Sequence, residues 1–464
     1  MDTRVLPIPM DEATMPEFRK RGQVPEDVES SIGTVLSYIH FAIPDAPVSS
    51  HARLSALPPD DDDDDGVDRL SLLPDALLRR IVSRLPVKDA ARTAALSSRW
   101  RDAWRSTPLV LVDADLLPAG VSDADTDAAR EEARAVTFAV SRVIAAHPGP
   151  FRRLHLTSSF MDQYQGLLAS WLQVLAVKGI QELILVNRPF PADLTLPATF
   201  FGMATLTRLY LGLWKFPDTA ALPRAACFPN LCDLGFSLIG ITNHDMDFIL
   251  ARSPVLETLC LQANTLQRVR VASRSLRCLM MMGFDQDVNV VNAPRLERLI
   301  MLYSCGSSML VKIGRAPSLR AIGYLDLETH VLEIGDTIIK AGTRASPSTM
   351  VPSVKILGII VCFGVRNEAK MLPSFLRCFP NVETLHIEIV SPKGTFASTD
   401  EANFRLKPLF ATKWASKCCS LVVLESDVSA GENNWNFERG CDFSLMDPFA
   451  IIIRSSRLDI SGSS

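Results

Sequence analysis

Side chains that could act as nucleophiles, acids, bases or metal ligands occur in the sequence without a catalytic or metal-binding arrangement. The chain has ten cysteines and seven histidines. They form no Cys-x-x-Cys pair and no His-Glu-x-x-His motif, and the glycines form neither a phosphate-binding loop nor a nucleophile elbow. The adjacent Cys418 and Cys419 fit a strand with one buried and one surface thiol. The sequence therefore predicts no catalytic residue, no metal site, no cofactor and no enzymatic activity.

The candidates that remain are recognition residues, which lie beside leucines in short apolar runs. In the runs 151–156 and 380–387, a histidine follows a leucine by one position. Alternation along a strand points such a residue to the face opposite the leucines. By this rule the candidates for a protein-binding face are Arg153, His155, Arg208, Tyr210, Glu257, Cys260, Arg298, Ile300 and His386. Each could also be ordinary solvated surface, so the set predicts where a substrate lies and leaves its identity open.

The runs that carry these residues recur along the chain. A leucine followed after two residues by an apolar-x-apolar pair appears in runs that begin at residues 151, 180, 206, 229, 254, 276, 294, 317, 352 and 380. Most spacings are near the 20–29 residues of leucine-rich repeats. Such repeats predict an α/β solenoid with parallel strands on its concave face and helices or loops outside. The unequal periods and the missing turn asparagine predict an irregular array over residues 109–390.

Several segments between the runs have their own predicted structure. Helical patterns cover residues 125–146, 160–176 and 244–251, whereas 109–112 and 262–270 look extended. The tail, residues 391–464, has no clear identity. Within it, 404–420 predicts a helical cap and 421–424 a last strand.

Composition and charge limit the class of partner. Hydrophobic residues make up 47% of the chain, the formal net charge is −4 and the pI is near 6.0. These values exclude a dedicated binder of nucleic acid or of an anionic membrane. No apolar signal core, membrane-spanning stretch or compact disulfide framework is present, which indicates the cytosol or the nucleus.

The first 66 residues have the pattern of a disordered extension. They contain scattered prolines and end in the acidic run 60–65. Six adjacent carboxylates repel one another and stay solvated, so this run predicts an extended linker. It lacks the alternating ligands and the glycine turn of a calcium loop.

Residues 67–108 are dense in helix signals. Apolar residues recur every four positions at Leu73, Leu77, Ile81 and Leu85. Pro86 is expected to end this first helix. Asp89 is expected to cap a second helix, and Ser97 or Ser98 a third. Three short helices make a core too small to be stable alone, so a partner or a neighbouring domain is expected.

This segment resembles an F-box of the plant type. Its landmarks are Leu-Pro at 73–74, Leu-Pro-Val-Lys-Asp at 85–89, Ser-x-Arg-Trp at 97–100 and a second tryptophan at 104. Together with the repeats, they make the chain similar to plant F-box/leucine-rich-repeat proteins. The tail does not clearly match the FBD region that such proteins often carry.

The resemblance implies a substrate-recognition subunit of a Skp–cullin–F-box ubiquitin ligase. A Skp-type adaptor would bind the F-box and connect it to a cullin and a RING subunit, while the repeats hold a protein substrate for ubiquitination. By similarity, the adaptor contacts are Leu73, Pro74, Ile81, Leu85, Pro86, Val87 and Trp100. Leu77, Leu96 and Trp104 are expected to close the module's own core instead. The alternative function is a leucine-rich-repeat scaffold that recruits no ligase.

Overall fold

The computed structural model describes ten stretches of the chain and five further residues. The stretches are 72–117, 126–157, 165–187, 194–223, 226–262, 265–284, 286–304, 308–361, 366–390 and 420–426, and the further residues are Gly33, Val35, Leu36, Ile39 and Met161. The chain divides into two compact units, residues 1–256 and 257–464. Within the described stretches, no helix is both long and apolar enough to cross a membrane.

Three short helices form the front module, residues 72–107. They are α1 (Asp75–Val82), α2 (Val87–Thr93) and α3 (Ser98–Ser106). The first helix ends three residues before the predicted Leu85. The reason is Pro86, which disfavours helical backbone in the residue that precedes it.

The second helix begins earlier than predicted. Its N-cap is Pro86, and Asp89 lies in the first turn, where it pairs with Arg92 at 2.9 Å, so the capping role predicted for Asp89 is wrong. Proline tolerates this position because the first helical N–H groups have no partner within the helix. The predicted cap of the third helix is confirmed, since the Ser97 hydroxyl accepts the N–H of Trp100 at 3.3 Å.

The core of the front module is built from one side of α1. The buried cluster consists of Leu78, Val82, Ala90, Trp100 and Ala103, with Leu73, Ile81, Leu85 and Trp104 packed against it. Leu77 and Leu96 are 43% and 67% exposed, so their predicted core role is wrong. Leu78 and Val82 supply the apolar face that meets α3, which leaves the neighbouring Leu77 on the solvent side of α1.

A histidine joins the front module to the strand that follows it. The His147 ring lies edge-on to Trp104 with centroids 4.9 Å apart, and to Phe151 at 5.3 Å. Its Nε2 donates to the carbonyl of Thr107 at 3.2 Å. Burial lowers the pKa of His147 below its usual value. The neighbouring structure that the small module needs is therefore supplied by the same chain.

In the first unit, five parallel strands are described, and they pair in chain order. They are β1 (Leu109–Val112), β2 (Phe151–Leu156), β3 (Glu182–Val186), β4 (Arg208–Gly212) and β5 (Asp233–Ser237). Helices follow three of them: α4 (Thr126–Ala146), α5 (Gln165–Val177) and α6 (Asn243–Arg252). The apolar face predicted for 125–146 packs inward, since Ala133, Val136, Val140 and Ile144 are buried.

In the second unit, the described repeat strands also pair in parallel. They are β6 (Thr258–Gln262), β8 (Cys278–Phe284), β10 (Arg298–Ser304), β12 (Ala321–Asp326), β15 (Ile356–Val361), β16 (Thr384–Val390) and β17 (Ser420–Ser426). With those of the first unit, they place a strand at each of the ten predicted runs and at 421–424. The α/β repeat fold is confirmed; the cap predicted over 404–420 lies outside the described residues except for Ser420.

The second unit differs from the first in how its strands are connected. Between its repeat strands lie β7 (Arg268–Ala272), β9 (Asp287–Asn292), β11 (Met309–Arg315) and β13 (His330–Ile334), which form a second parallel ladder. A short antiparallel strand, β14 (Thr337–Ile338), borders it. Among the described residues of the second unit, an α-helix, α7 (Arg366–Cys378), lies between β15 and β16.

Part of the N-terminal extension differs from the disordered prediction. Gly33, Val35, Leu36 and Ile39 are helical, and Val35 and Ile39 are 0% and 2% exposed. Residues four apart share one face of a helix, so these two apolar side chains can be buried together. The rest of residues 1–66 lies outside the described part of the chain.

Candidate functional site

The candidate substrate face of the first unit is the strand face opposite the repeat leucines. In β4, Leu209 and Leu211 are buried on one side, and alternation places Arg208, Tyr210 and Gly212 on the other. The same rule places Arg153 and His155 of β2 on this side. Parallel pairing in register then aligns these positions from strand to strand.

Four charged residues of alternating sign cross this face in register. Arg153 pairs with Glu182, Glu182 with Arg208, and Arg208 with Asp233. Arg153 Nε donates to Glu182 Oε2 at 2.6 Å, and Arg208 Nη2 lies 3.0 Å from Asp233 Oδ2. Arg208 Nη1 also lies 3.5 Å from Glu182 Oε2. We call these four residues the charge ladder.

The charge ladder is held in a partly dehydrated environment. Burial disfavours the positive charge of Arg208, but Asp233 and then Glu182 outweigh this effect and raise the pKa of its guanidinium. Removing charges from water has a cost that is offset only where partners are well placed. The paired charges of the ladder therefore hold their own side chains in fixed orientations. Because the two arginines and the two carboxylates neutralise one another, the face offers a partner hydrogen-bonding groups rather than net charge.

The sequence rule missed two members of the ladder, Glu182 and Asp233. Each stands immediately before a repeat leucine, Leu183 or Leu234, the position that Arg208 holds before Leu209. Aligning the runs on that leucine gives Arg, Glu, Arg and Asp in successive repeats. The sequence therefore contains this pattern of alternating charge, which an alignment of the repeats on that leucine would have revealed.

Beyond the ladder, the same face is apolar and buried. Ile184 and Val186 of β3 are 0% and 1% exposed, and Tyr210 is 3% exposed. The Tyr210 ring covers Gly235 so closely that a Cβ atom there would lie 2.3 Å from the ring. Gly235 is therefore required for the aromatic ring to lie flat on β5.

In the second unit, the predicted face residues fall into two groups. Cys260, Ile300 and His386 are buried and Arg298 is half-buried, all at strand positions opposite a repeat leucine or isoleucine. Glu257 does not belong with them. It precedes β6, is exposed, and its carboxylate lies 3.8 Å from Arg277. Its assignment to the face is wrong because alternation applies only within the strand, which begins at Thr258.

The predicted adaptor contacts are divided between surface and core. Pro74 is exposed, and Leu73, Ile81, Leu85 and Pro86 are partly exposed. Val87 and Trp100 are 2% and 5% exposed, so they support the module from within. Arg99 of α3 holds the start of α1 by hydrogen bonds to the Leu73 carbonyl and the Asp75 carboxylate.

Side chains in the described stretches do not cluster as a metal site. Three of the five cysteines found there, Cys260, Cys278 and Cys378, are buried. Burial raises the pKa of the Cys378 thiol to about 11, which keeps it protonated and unreactive at neutral pH.

Comparison with known proteins agrees with this division of the chain. A model of the F-box domain matches residues 70–111. A model described as the leucine-rich repeats of the FBD-associated F-box protein At5g56370 matches residues 168–387. The chain thus carries an F-box followed by leucine-rich repeats similar to those of FBD-associated F-box proteins.

Relatives from Arabidopsis thaliana share the same plan. F-box/FBD/LRR-repeat protein At1g13570 is 26% identical over 72% of this chain and 79% of its own length. F-box/FBD/LRR-repeat protein At2g04230 is 27% identical over 80% of this chain and 84% of its own length. F-box/LRR-repeat protein At3g26922 is 27% identical over 50% of this chain and 74% of its own length. The predicted similarity to plant F-box/leucine-rich-repeat proteins is confirmed.

Proposed function

We propose that this protein is the substrate-recognition subunit of a Skp–cullin–F-box ubiquitin ligase. Its F-box binds a Skp-type adaptor, which connects it to a cullin and a RING subunit, and its repeats hold a protein substrate. The chain itself is a non-catalytic receptor. The cytosol or the nucleus suits this role, and the buried thiols fit such a reducing compartment.

The observation that carries the proposal is the apolar surface of the F-box. Leu72, Leu77 and Leu96 are 73%, 43% and 67% exposed, although the module's own core is already filled. Large apolar side chains left exposed on a small module whose core is filled indicate a protein interface. Leu77 lies four residues before Ile81, so both side chains are on one side of α1.

This surface revises the expected set of adaptor contacts. We propose that Leu77 and Leu96 join Leu73, Pro74, Ile81, Leu85 and Pro86 in contacting the adaptor. Val87 and Trp100 would act indirectly, by holding the helices in place. Substitutions at Leu77 and Leu96 are the better test because both side chains are exposed, so changing them leaves the core intact.

The test is binding of the full chain to a purified Skp-type adaptor. The variant Leu77→Glu/Leu96→Glu should weaken binding by about 30-fold or more, since two apolar interface anchors are typically worth about 1–2 kcal/mol each. The matched control is Val177→Glu/Val255→Glu, which places the same charges at exposed valines of the same unit outside the F-box. The control should bind like the wild type.

Undiminished binding by Leu77→Glu/Leu96→Glu would contradict the proposed surface. A further measurement separates the ligase subunit from a scaffold that recruits no ligase. Capture from cell extract with the wild-type chain should recover a cullin, and capture with the double variant should not. Recovery of the adaptor without a cullin would favour the scaffold.

A further inference from the structure

A buried apolar patch on the candidate substrate face has no explanation in the strands themselves. Ile184, Val186 and Tyr210 lie opposite the repeat leucines, on the side that faces away from the core. Such residues are exposed to solvent unless another segment covers them, yet none of the three is more than 3% exposed. A covering segment must therefore lie on this face.

Val35 is one part of that cover. A Cβ atom built on Gly212 would lie 2.5 Å from Val35 Cγ1 and 3.3 Å from Val186 Cγ2. A side chain at 212 would project from the same side of β4 as Arg208 and Tyr210. Val35 therefore occupies the candidate substrate face, in the space left by the missing side chain of Gly212.

The described residues of the covering segment are helical and include two buried apolar side chains. Val35 and Ile39 are helical, lie four residues apart and are buried, whereas Gly33 is exposed with open space around its Cβ position. This is the pattern of an amphipathic helix that lays its apolar side into a groove. The groove floor is formed by Ile184, Val186, Tyr210 and Gly212.

We infer that this groove is a binding site for a helix with apolar side chains four residues apart, and that Val35 and Ile39 occupy it intramolecularly. The inference builds on the proposed function by naming the substrate class: a protein that presents such a helix. The ligand must displace the chain's own segment to reach the groove. The tether holds that segment at a high local concentration, so an external helix competes at a disadvantage.

The first test measures the contact itself in the full chain. The variant Val35→Cys/Gly212→Cys should form a disulfide under mild oxidation, because a Cβ atom at 212 would lie only 2.5 Å from Val35 Cγ1, which brings the two thiols together. The matched control, Gly33→Cys/Gly212→Cys, places one thiol on the exposed side of the same helix and should not cross-link. Equal cross-linking of both pairs would overturn the assignment of Val35 to the groove.

The second test measures competition with a defined probe, a fluorescent peptide of residues 30–43. Full-chain Val35→Asp/Ile39→Asp should free the groove and bind the peptide at least about tenfold more tightly than the wild type. Gly33→Asp adds a charge to the exposed side and should behave like the wild type. Adding Gly212→Val to the displaced variant should abolish peptide binding, because the new side chain fills the space that Val35 occupies.

No peptide binding by the displaced variant, or equal binding by it and the wild type, would sink the inference. Neither assay contains an adaptor, so failure of the ligase proposal leaves these results unchanged. Conversely, Val35→Asp/Ile39→Asp should bind the Skp-type adaptor like the wild type. If the folded Val35→Asp/Ile39→Asp variant binds the adaptor but not the peptide, the groove inference is wrong and the proposed function is unaffected.

Discussion

The two units of this protein use the same strand motif but connect successive strands in different ways. In the first unit, β3, β4 and β5 begin at residues 182, 208 and 233, and helix α5 lies just before β3. In the second, β6, β8 and β10 begin at 258, 278 and 298, with β7 and β9 between them. A period of 20 residues leaves too little chain for a three-turn helix and its two loops. A period of 20 residues therefore excludes such a helix between β6, β8 and β10.

The units also differ at the repeat position just before the leucine. The first unit fills it with the charge ladder, whereas the second has Thr258, Cys278 and Ala321 there, with Arg298 as a charged member. A polar and directional surface is thus concentrated in the first unit, next to the groove that holds Val35. We therefore expect substitutions that remove a charge to lower stability more in the first unit. In the second unit, we expect stability to depend more on the close packing of strands.

The largest expected effect comes from the charge ladder. Glu182 is shared by three arginines: Arg153 lies 2.6 Å away, and Arg152 and Arg208 each lie 3.5 Å away. Glu182→Gln leaves these three guanidinium groups without their shared carboxylate and should destabilise the first unit by about 3 kcal/mol. Hydrogen exchange of the β2–β4 amides should report the loss, because those strands carry the affected side chains.

The matched change in the second unit is Thr258→Ala, at the same repeat position. Thr258 is half-buried and uncharged, so the expected loss is about 1 kcal/mol or less. Similar losses for the two variants would show that the ladder adds nothing particular to the first unit. If Glu182→Gln lowers the free energy of unfolding by less than Thr258→Ala, water solvates the arginines almost as well as the carboxylate does.

The features that repeat along the chain were the ones that could be predicted from it. Each repeated run proved to be a strand because the buried leucines alternate with a period of two, which only an extended chain satisfies. The F-box was recognisable because its Leu-Pro and Arg-Trp landmarks have fixed spacing. The predicted end at Leu85 was three residues too late, because Pro86 was expected only to stop the helix after Leu85, whereas it also disfavours helical backbone at Leu85 itself.

Other features depend on contacts between segments distant in sequence. Of the sheet formed by β7, β9, β11 and β13, the sequence predicted only an extended segment at 262–270. The hydrogen bonds that stabilise β7, β9 and β11 join residues of successive repeats, so no local pattern indicates them. Burial of Val35 depends on Gly212, far along the chain, so no local pattern could indicate it. Glu182 and Asp233 are different, since an alignment of the repeats would have found them.

The second prediction concerns acid stability and applies to the second unit. Burial lowers the pKa of His330 to about 4, and its Nδ1 accepts the N–H of Asp326 at 3.1 Å. The unfolded histidine takes up a proton near pH 6.5, but the folded one does not until about pH 4. The stability contributed by the neutral His330 is therefore complete above pH 6.5 and should be lost as the pH drops from 6.5 towards 4.

The check is the pH dependence of urea unfolding between pH 4 and 7, followed by hydrogen exchange of the β11–β13 amides. His330→Asn keeps an acceptor for the Asp326 N–H and removes the titrating group, so its slope should be flatter. An unchanged slope in this variant would assign the acid sensitivity to other groups. His147 of the first unit, whose pKa burial also lowers, is the first of these to test.

The smallest expected effect concerns how closely β9 and β11 approach each other in the second parallel sheet of the second unit. A Cβ atom at Gly314 of β11 would lie 2.6 Å from the Val290 carbonyl oxygen and 3.0 Å from that of Val291. Both are backbone atoms of the neighbouring β9, so the strands themselves must separate to accept a methyl group. Gly314→Ala should therefore destabilise the second unit by about 1–2 kcal/mol.

The same substitution in the first unit serves as its control. Gly202 ends a short 3-10 helix at Ala198–Gly202, and nothing lies within 4 Å of its Cβ position. Gly202→Ala should stay within about 0.5 kcal/mol of the wild type, while Gly314→Ala loses amide protection in β9 and β11. Because both variants add one methyl group, the difference between them measures backbone approach rather than side-chain size. If Gly314→Ala is as stable as Gly202→Ala, strand connections in the second unit are looser than the 20-residue period implies.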